Sequence, residues 1–122
     1  MPLIVNVISV SGVKDEDDIG KNDLYVKLSA DGSTWQQTTV KNGAGKNAVF
    51  GETFQFDVPA GTGSLEVEVY DKDPGKDDKL GSAKVDLSRF QPGAGEQDEV
   101  VTLTKHIIHR NAGQVNLRIS YI

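Results

Sequence analysis

Apolar and polar residues alternate with a period of two along most of this chain. Leu3, Val5 and Val7 alternate with Ile4, Asn6 and Ile8. The same rhythm runs through Leu24 to Leu28, Phe54 to Val58, Leu65 to Tyr70, Ala83 to Leu87 and Val115 to Tyr121. Successive side chains of an extended strand point to opposite faces, so each segment reads as a strand with one buried face. Trp35 to Val40 and Val100 to Leu103 add two shorter segments. Turn signals separate them: Asp31-Gly32, Asn42-Gly43, Pro59-Ala60-Gly61 and Pro92-Gly93. Eight short strands with polar outer faces predict an all-β fold, an eight-stranded antiparallel β-sandwich of Greek-key type. No long helical pattern is present, although Asp86 to Phe90 reads as the start of a short turn. No internal repeat, linker or low-complexity tract divides the sequence, and one domain over residues 1–122 is expected.

Composition narrows the function. With 122 residues and 37% hydrophobic residues the chain has enough apolar surface for a core. There is no cysteine, which excludes disulfides and thiolate metal sites and favours a reducing compartment. No apolar run reaches the ~20 residues of a membrane span. The first ten residues lack a basic n-region and do not read as a signal peptide. A net charge of −5 argues against nucleic acid as the main partner.

The charge is not spread evenly. Asp15, Glu16, Asp17, Asp18 and Asp23 form one group, and Asp71, Asp73, Asp77 and Asp78 another. Together they hold nine of the 18 acidic residues, and each group follows a predicted strand. A pair of carboxylates ~4 Å apart at surface-like dielectric repels by about 4 kcal/mol. A cation relieves that repulsion, and hard oxygen donors on loops suit Ca²⁺. Asp71 and Asp73 lie two apart at a strand exit, so both point the same way. The plainer reading is a solvated acidic rim. Asp71-Lys72-Asp73 begins like an EF-hand loop, but that loop ends on a bidentate glutamate and this one has Ser82 there.

These residues resemble the C2 domain family over nearly the whole chain. Leu3, Val5, Val7, Val10 and Val13 match its opening strand pattern. Asp17, Gly20 and Asp23 match its D-x-x-G-x-x-D. Asp23-Leu24-Tyr25-Val26 matches D-P-Y-V, and Asn47 to Phe56 is a degraded N-P-x-W-N-E-x-F-x-F. Val69-Tyr70-Asp71-Lys72-Asp73 followed by Asp78-Lys79-Leu80-Gly81 matches V-x-D-x-D…D-x-[IL]-G. Leu24 and Ala48 stand where the family has prolines, and Lys76 where some members carry a serine. The last segment, Gly113 to Ile122, is similar to the strand that opens the chain in the circularly permuted form of the family.

The resemblance implies Ca²⁺-dependent, non-catalytic binding to anionic phospholipid membranes. It implies about two Ca²⁺ ions held by Asp17, Asp23, Asp71, Asp73 and Asp78, with backbone help near Glu16 and Lys72. Asp15, Asp18 and Asp77 are read as bystanders that tune the field. Lipid contact is expected from Ile19, Lys21, Lys72 and Lys76, shallow and mainly electrostatic because no aromatic wedge sits at a loop tip. A peripheral, cytoplasmic monomer in a signalling setting follows. The alternative is a Ca²⁺-independent or Ca²⁺-regulated protein-interaction module on the same sandwich. His106 and His109 beside Arg110 offer too few ligands for zinc. No nucleophile elbow, cysteine nucleophile or P-loop is present, so catalysis is not expected.

Overall fold

A computed structural model describes residues 2–14, 21–59, 63–105 and 110–122. Its strands are β1 (Pro2–Ser11), β2 (Leu24–Ser29), β3 (Gln36–Gln37), β4 (Ala48–Asp57), β5 (Ser64–Asp71), β6 (Asp78–Asp86), β7 (Gln97–Lys105) and β8 (Arg110–Tyr121). A single turn of 3-10 helix, Leu87–Arg89, follows β6. Every pairing is antiparallel, in the order β3-β2-β5-β6-β7-β8-β1-β4. The β6–β7 contact is a single pair, Ser82 with Thr104, so the order falls into two four-stranded halves. This is the expected antiparallel sandwich.

The predicted alternation is the packing pattern. Leu3, Val5 and Val7 are fully buried, as are Leu65, Val67 and Val69 and Val115, Leu117 and Ile119. Residues between them face outward or lie half-buried. An extra residue at Ile8 shifts the register of β1 against β8, which keeps Val10 in the core one position out of phase, and against β4 the extra residue lies on β4 between Val49 and Glu52. Val13 stays buried beyond the strand end.

The structure differs from the pattern in three places. Trp35 to Val40 shrinks to the two residues of β3, because Thr38 leaves the ladder and its hydroxyl accepts the Val26 N–H at 3.0 Å. Strand β4 begins at Ala48, well before the Phe54 alternation, across Gly51 at φ +63. Strand β7 runs from Gln97 to Lys105, longer than its apolar stretch, because backbone pairing with β8 carries it. Two glycines matter for closure. A Cβ on Gly81 would meet the Cβ atoms of Leu103 and Ala112 at 3.0 and 3.1 Å, so glycine lets β6 sit close against its neighbours. Gly113 adopts φ +117 with Ser11 O only 2.8 Å from where a Cβ would stand.

With every neighbour antiparallel, odd-numbered strands run one way and even-numbered strands the other. The β1–β2, β3–β4, β5–β6 and β7–β8 connections therefore share one end. Asp23 of the first acidic group and the whole of the second lie there.

Candidate functional site

The β2 and β5 strands bring Asp23 of the first acidic group beside the second group. Leu24 pairs with Asp71 across the ladder, and Asp71 pairs with Asp78. The backbone N–H of Asp23 donates to Asp71 Oδ1 at 2.8 Å, and the N–H of Lys72 donates to the Asp23 carbonyl at 2.8 Å. The first and third loops are thus stitched at their bases. Asp23 Oδ1 also accepts the N–H of Gly43 at 2.7 Å, which draws the second loop to the same place. Asp71 is buried, whereas Asp73 and Asp78 are exposed on the loop beyond it.

Asn22 completes this frame, and the sequence reading missed it. It is 2% exposed, and its amide donates to the carbonyls of Lys14 at 2.8 Å and Gly45 at 3.0 Å. One side chain thereby ties the flanks of the first and second loops. A lone asparagine beside a run of acids carries no pattern that singles it out. Its position becomes informative only when two carbonyls distant in sequence converge on it.

Asp77 also differs from its expected role as a bystander. It accepts the hydroxyl of Tyr25 and, at 2.9 Å, the N–H of Asp73, and it lies 3.7 Å from the Lys72 ammonium. The Asp73 N–H, then the Tyr25 hydroxyl, hold its carboxyl below the usual range. Burial, then the bond to Asp77, pushes the Tyr25 phenol far above its ordinary value. Tyr25 stacks on Tyr70 with ring centroids 5.4 Å apart. The Tyr70 phenol is pushed up to about 12 by burial and by its bond to Glu68. Asp77 is therefore a strut that folds the third loop back against β2.

Asp73 and Asp78 stand in contrast. Among the described residues, theirs are the only carboxylates with no hydrogen-bond or ion-pair partner. Asp23, Asp71, Asp73 and Asp78 provide hard oxygen donors on adjacent strand ends, a donor set that fits a hard divalent cation. Among the described residues no three acidic or imidazole side chains already converge on one point. Asp17, Glu16 and Ile19 lie outside the described residues, as do His106 and His109. Of the lysines expected to meet lipid, Lys21 and Lys76 are exposed and unpaired among the described residues, while Lys72 leans on Asp77. Trp35 is half-buried, with the Lys27 ammonium 5.8 Å from its ring centroid.

These features define an antiparallel β-sandwich that carries a charged rim on the loops at one end. The family model of the C2 domain matches residues 2–102, and the chain belongs to that family. Over 98% of its length it is 31% identical to a "Calcium-dependent lipid-binding protein" of Arabidopsis thaliana, and it spans 24% of that relative. It superposes on a C2 domain of plant extended synaptotagmin 1 with a TM-score of 0.86 at 28% identity, covering 98% of this chain and 92% of that one. Against the calcium-bound pair of C2 domains of extended synaptotagmin 2 the TM-score is 0.80 at 26% identity, covering 98% and 45%. No helix among the described residues is long and apolar enough to cross a membrane.

Proposed function

We propose that this domain binds anionic phospholipid membranes reversibly and in response to Ca²⁺, through the end that carries its four loops, without catalysis. One observation carries the reading: Asp73 and Asp78 are left without partners, among the described residues, on a loop anchored to Asp23 and Asp71. The relative named for calcium-dependent lipid binding and the calcium-bound neighbour support it.

Asp23, Asp71, Asp73 and Asp78 would hold the ions, about two in number, with Asp17 from the first loop and the backbone near Glu16 and Lys72. Bound there, Ca²⁺ supplies positive charge and vacant coordination positions for lipid phosphate or carboxylate. The protein's own groups set the rest. With the carboxylates uncompensated, the rim repels an anionic bilayer. Buried Asp71 and the Asn22 tie keep the loops in place, so that little ordering is left for the moment of binding. Lys21 and Lys76 add attraction to anionic headgroups, and Ile19 gives only shallow apolar contact. The setting is a peripheral one on a cytoplasmic membrane face.

The test is calorimetric titration of Ca²⁺ with and without phosphatidylserine vesicles, followed by vesicle sedimentation across a salt series at saturating Ca²⁺. Ca²⁺ affinity rises when vesicles are present, and vesicle binding falls steeply as the Debye length shortens from ~10 Å at 0.1 M to ~3 Å at 1 M salt. No heat of Ca²⁺ binding at millimolar concentration overturns the reading. That result favours the Ca²⁺-independent form of the second reading, a protein-interaction module, whereas Ca²⁺ uptake without any vesicle binding favours its Ca²⁺-regulated form. Its support is the lack, among the described residues, of a preassembled group of three acidic ligands.

A further inference from the structure

Among the described residues the cations left without a partner gather at the acidic end, although Lys41 and Lys72 there are partnered. The cations on the strand faces and at the far end have partners. Lys79 meets Glu68 at 3.2 Å, Lys84 meets Glu66 at 3.8 Å, Arg89 pairs with Glu99, and Arg118 meets Asp98 at 2.7 Å. Lys27 and Lys41 lie over aromatic rings. Among the described residues the ammonium groups of Lys21, Lys46, Lys76 and Lys105 have none. These four sit in the first, second and third loops and at the upper end of β7, all at the acidic end.

Two of them share a feature. Lys76 and Lys105 border an open hollow of about 660 Å³ between the third loop and the end of β7, with Asp73, Asp77, Asp78 and Lys79 in its wall. The hollow exists because β6 and β7 pair only at Ser82 and Thr104. The internal pairs cancel part of the wall charge, since Lys79 is bound to Glu68, and Asp77 to Tyr25 and Lys72. What remains, among the described residues, is two free ammoniums facing two free carboxylates. Lys105 is half-buried, and among the described residues no acid pairs with its ammonium.

We propose that this hollow seats a phosphate-bearing lipid headgroup, with Lys76 and Lys105 as the groups that grip it. The proposal rests on the calcium reading above, because Asp73 and Asp78 in the wall oppose an anion until a cation neutralises them. Ammonium groups suit phosphate oxygens, as compact charges with several donors each. The volume falls in the range of small-molecule sites. Interleaved carboxylates and a net charge of −5 disfavour an extended polyanion such as nucleic acid. The hollow also opens at the end proposed to face the bilayer. The seat thus places the β7 end, and not the three acidic-end loops alone, in headgroup recognition.

The experiment uses phosphatidylcholine vesicles doped with phosphatidic acid, or with phosphatidylserine at matched surface charge, at saturating Ca²⁺. Lys76→Gln and Lys105→Gln each weaken binding to the phosphatidic acid vesicles about fivefold, and the double variant about thirtyfold. The loss is smaller on phosphatidylserine, whose headgroup exposes no phosphomonoester. Lys84→Gln, whose lysine pairs with Glu66 on the sheet, changes neither. Ca²⁺ titration without lipid shows every variant still taking up Ca²⁺, with Lys76→Gln and Lys105→Gln binding it no more weakly than wild type, because each removes a positive charge beside Asp73 and Asp78. A Lys105→Gln protein indistinguishable from Lys84→Gln overturns the seat. Soluble glycerol 3-phosphate that binds as tightly as the vesicles, and displaces them, overturns the lipid source. A wild type that takes up no Ca²⁺ overturns the underlying reading instead. A wild type that takes up Ca²⁺ and vesicles, with lysine variants unchanged, overturns the seat alone.

Discussion

The two ends of this sandwich are both rich in acids, yet they use them differently. At the end opposite the four loops, Asp31 accepts the N–H groups of Ser33 at 2.8 Å and Thr34 at 2.7 Å and the hydroxyl of Ser29 at 3.0 Å. Its carboxyl is held at about 2 by those backbone bonds. Asp86 caps the short 3-10 turn through the N–H and hydroxyl of Ser88. Arg89 and Arg118 answer Glu99, Asp98 and Glu96. Each of these carboxylates is committed to a turn or an ion pair. At the loop end Asp77 is similarly committed, but Asp73 and Asp78 have no partner among the described residues. An acid at a strand end is thus not by itself a ligand. What matters is whether the fold has already used its oxygens.

The sharpest way to break this contrast is to supply the cation. At 100-fold excess over its dissociation constant, Ca²⁺ stabilises the folded state by ~2.7 kcal/mol. The melting temperature then rises on the order of 5–15 °C. Thermal melts in Ca²⁺ and in chelator measure it, and coincident curves at millimolar Ca²⁺ remove the distinction between the ends. A related expectation separates individual acids. Asp73→Asn and Asp78→Asn abolish most of that rise, while Asp86→Asn and Asp57→Asn on exposed positions retain it. Four variants with equal Ca²⁺ shifts refute the assignment.

The frame beneath the loops is tested next. Asn22→Ala leaves one buried and one part-buried carbonyl short of a donor, at a cost of about 1–3 kcal/mol. Chemical denaturation reads that loss, and an Asn22→Ala protein as stable as wild type removes Asn22 from the frame. A smaller change comes from Tyr25→Phe, which takes one hydrogen bond from Asp77, worth about 0.5–1.5 kcal/mol. Its denaturation midpoint falls slightly, while apolar packing on Tyr70 persists. A loss comparable to a core deletion contradicts the strut.

The far end has its own signature in pH. The folded-state value of Asp31 lies below its ordinary 3.8, so its contribution is present above about pH 4 and is lost as pH falls toward 2. Asp31→Asn flattens the acid limb of the stability curve. Because Asp31 lies on the solvent-exposed surface, the effect is the smallest of those named here. An unchanged acid limb shows that its bonds carry no linkage.

The sequence alone determined the class of this fold. Period-two alternation at Leu3 to Val7, Leu65 to Val69 and Val115 to Ile119 specifies which face of each strand is buried, because burial is the one demand that repeats every second residue. It also placed two acid groups at strand ends, and the order of its motifs pointed to the C2 family. It did not determine which acids remain available. Asp77 and Asp78 are chemically identical neighbours, and no local rule makes one a strut and leaves the other, among the described residues, without a partner. The difference arises because Tyr25, on a strand paired with β5, presents its hydroxyl to Asp77. The same holds for Asn22, whose two carbonyl partners belong to two different loops, and for Lys105, which borders one hollow with the third loop. Alternation is a local property that a strand carries with it. Hydrogen-bond satisfaction and charge pairing depend on groups far apart in the chain, and only the closed sandwich decides which of them meet.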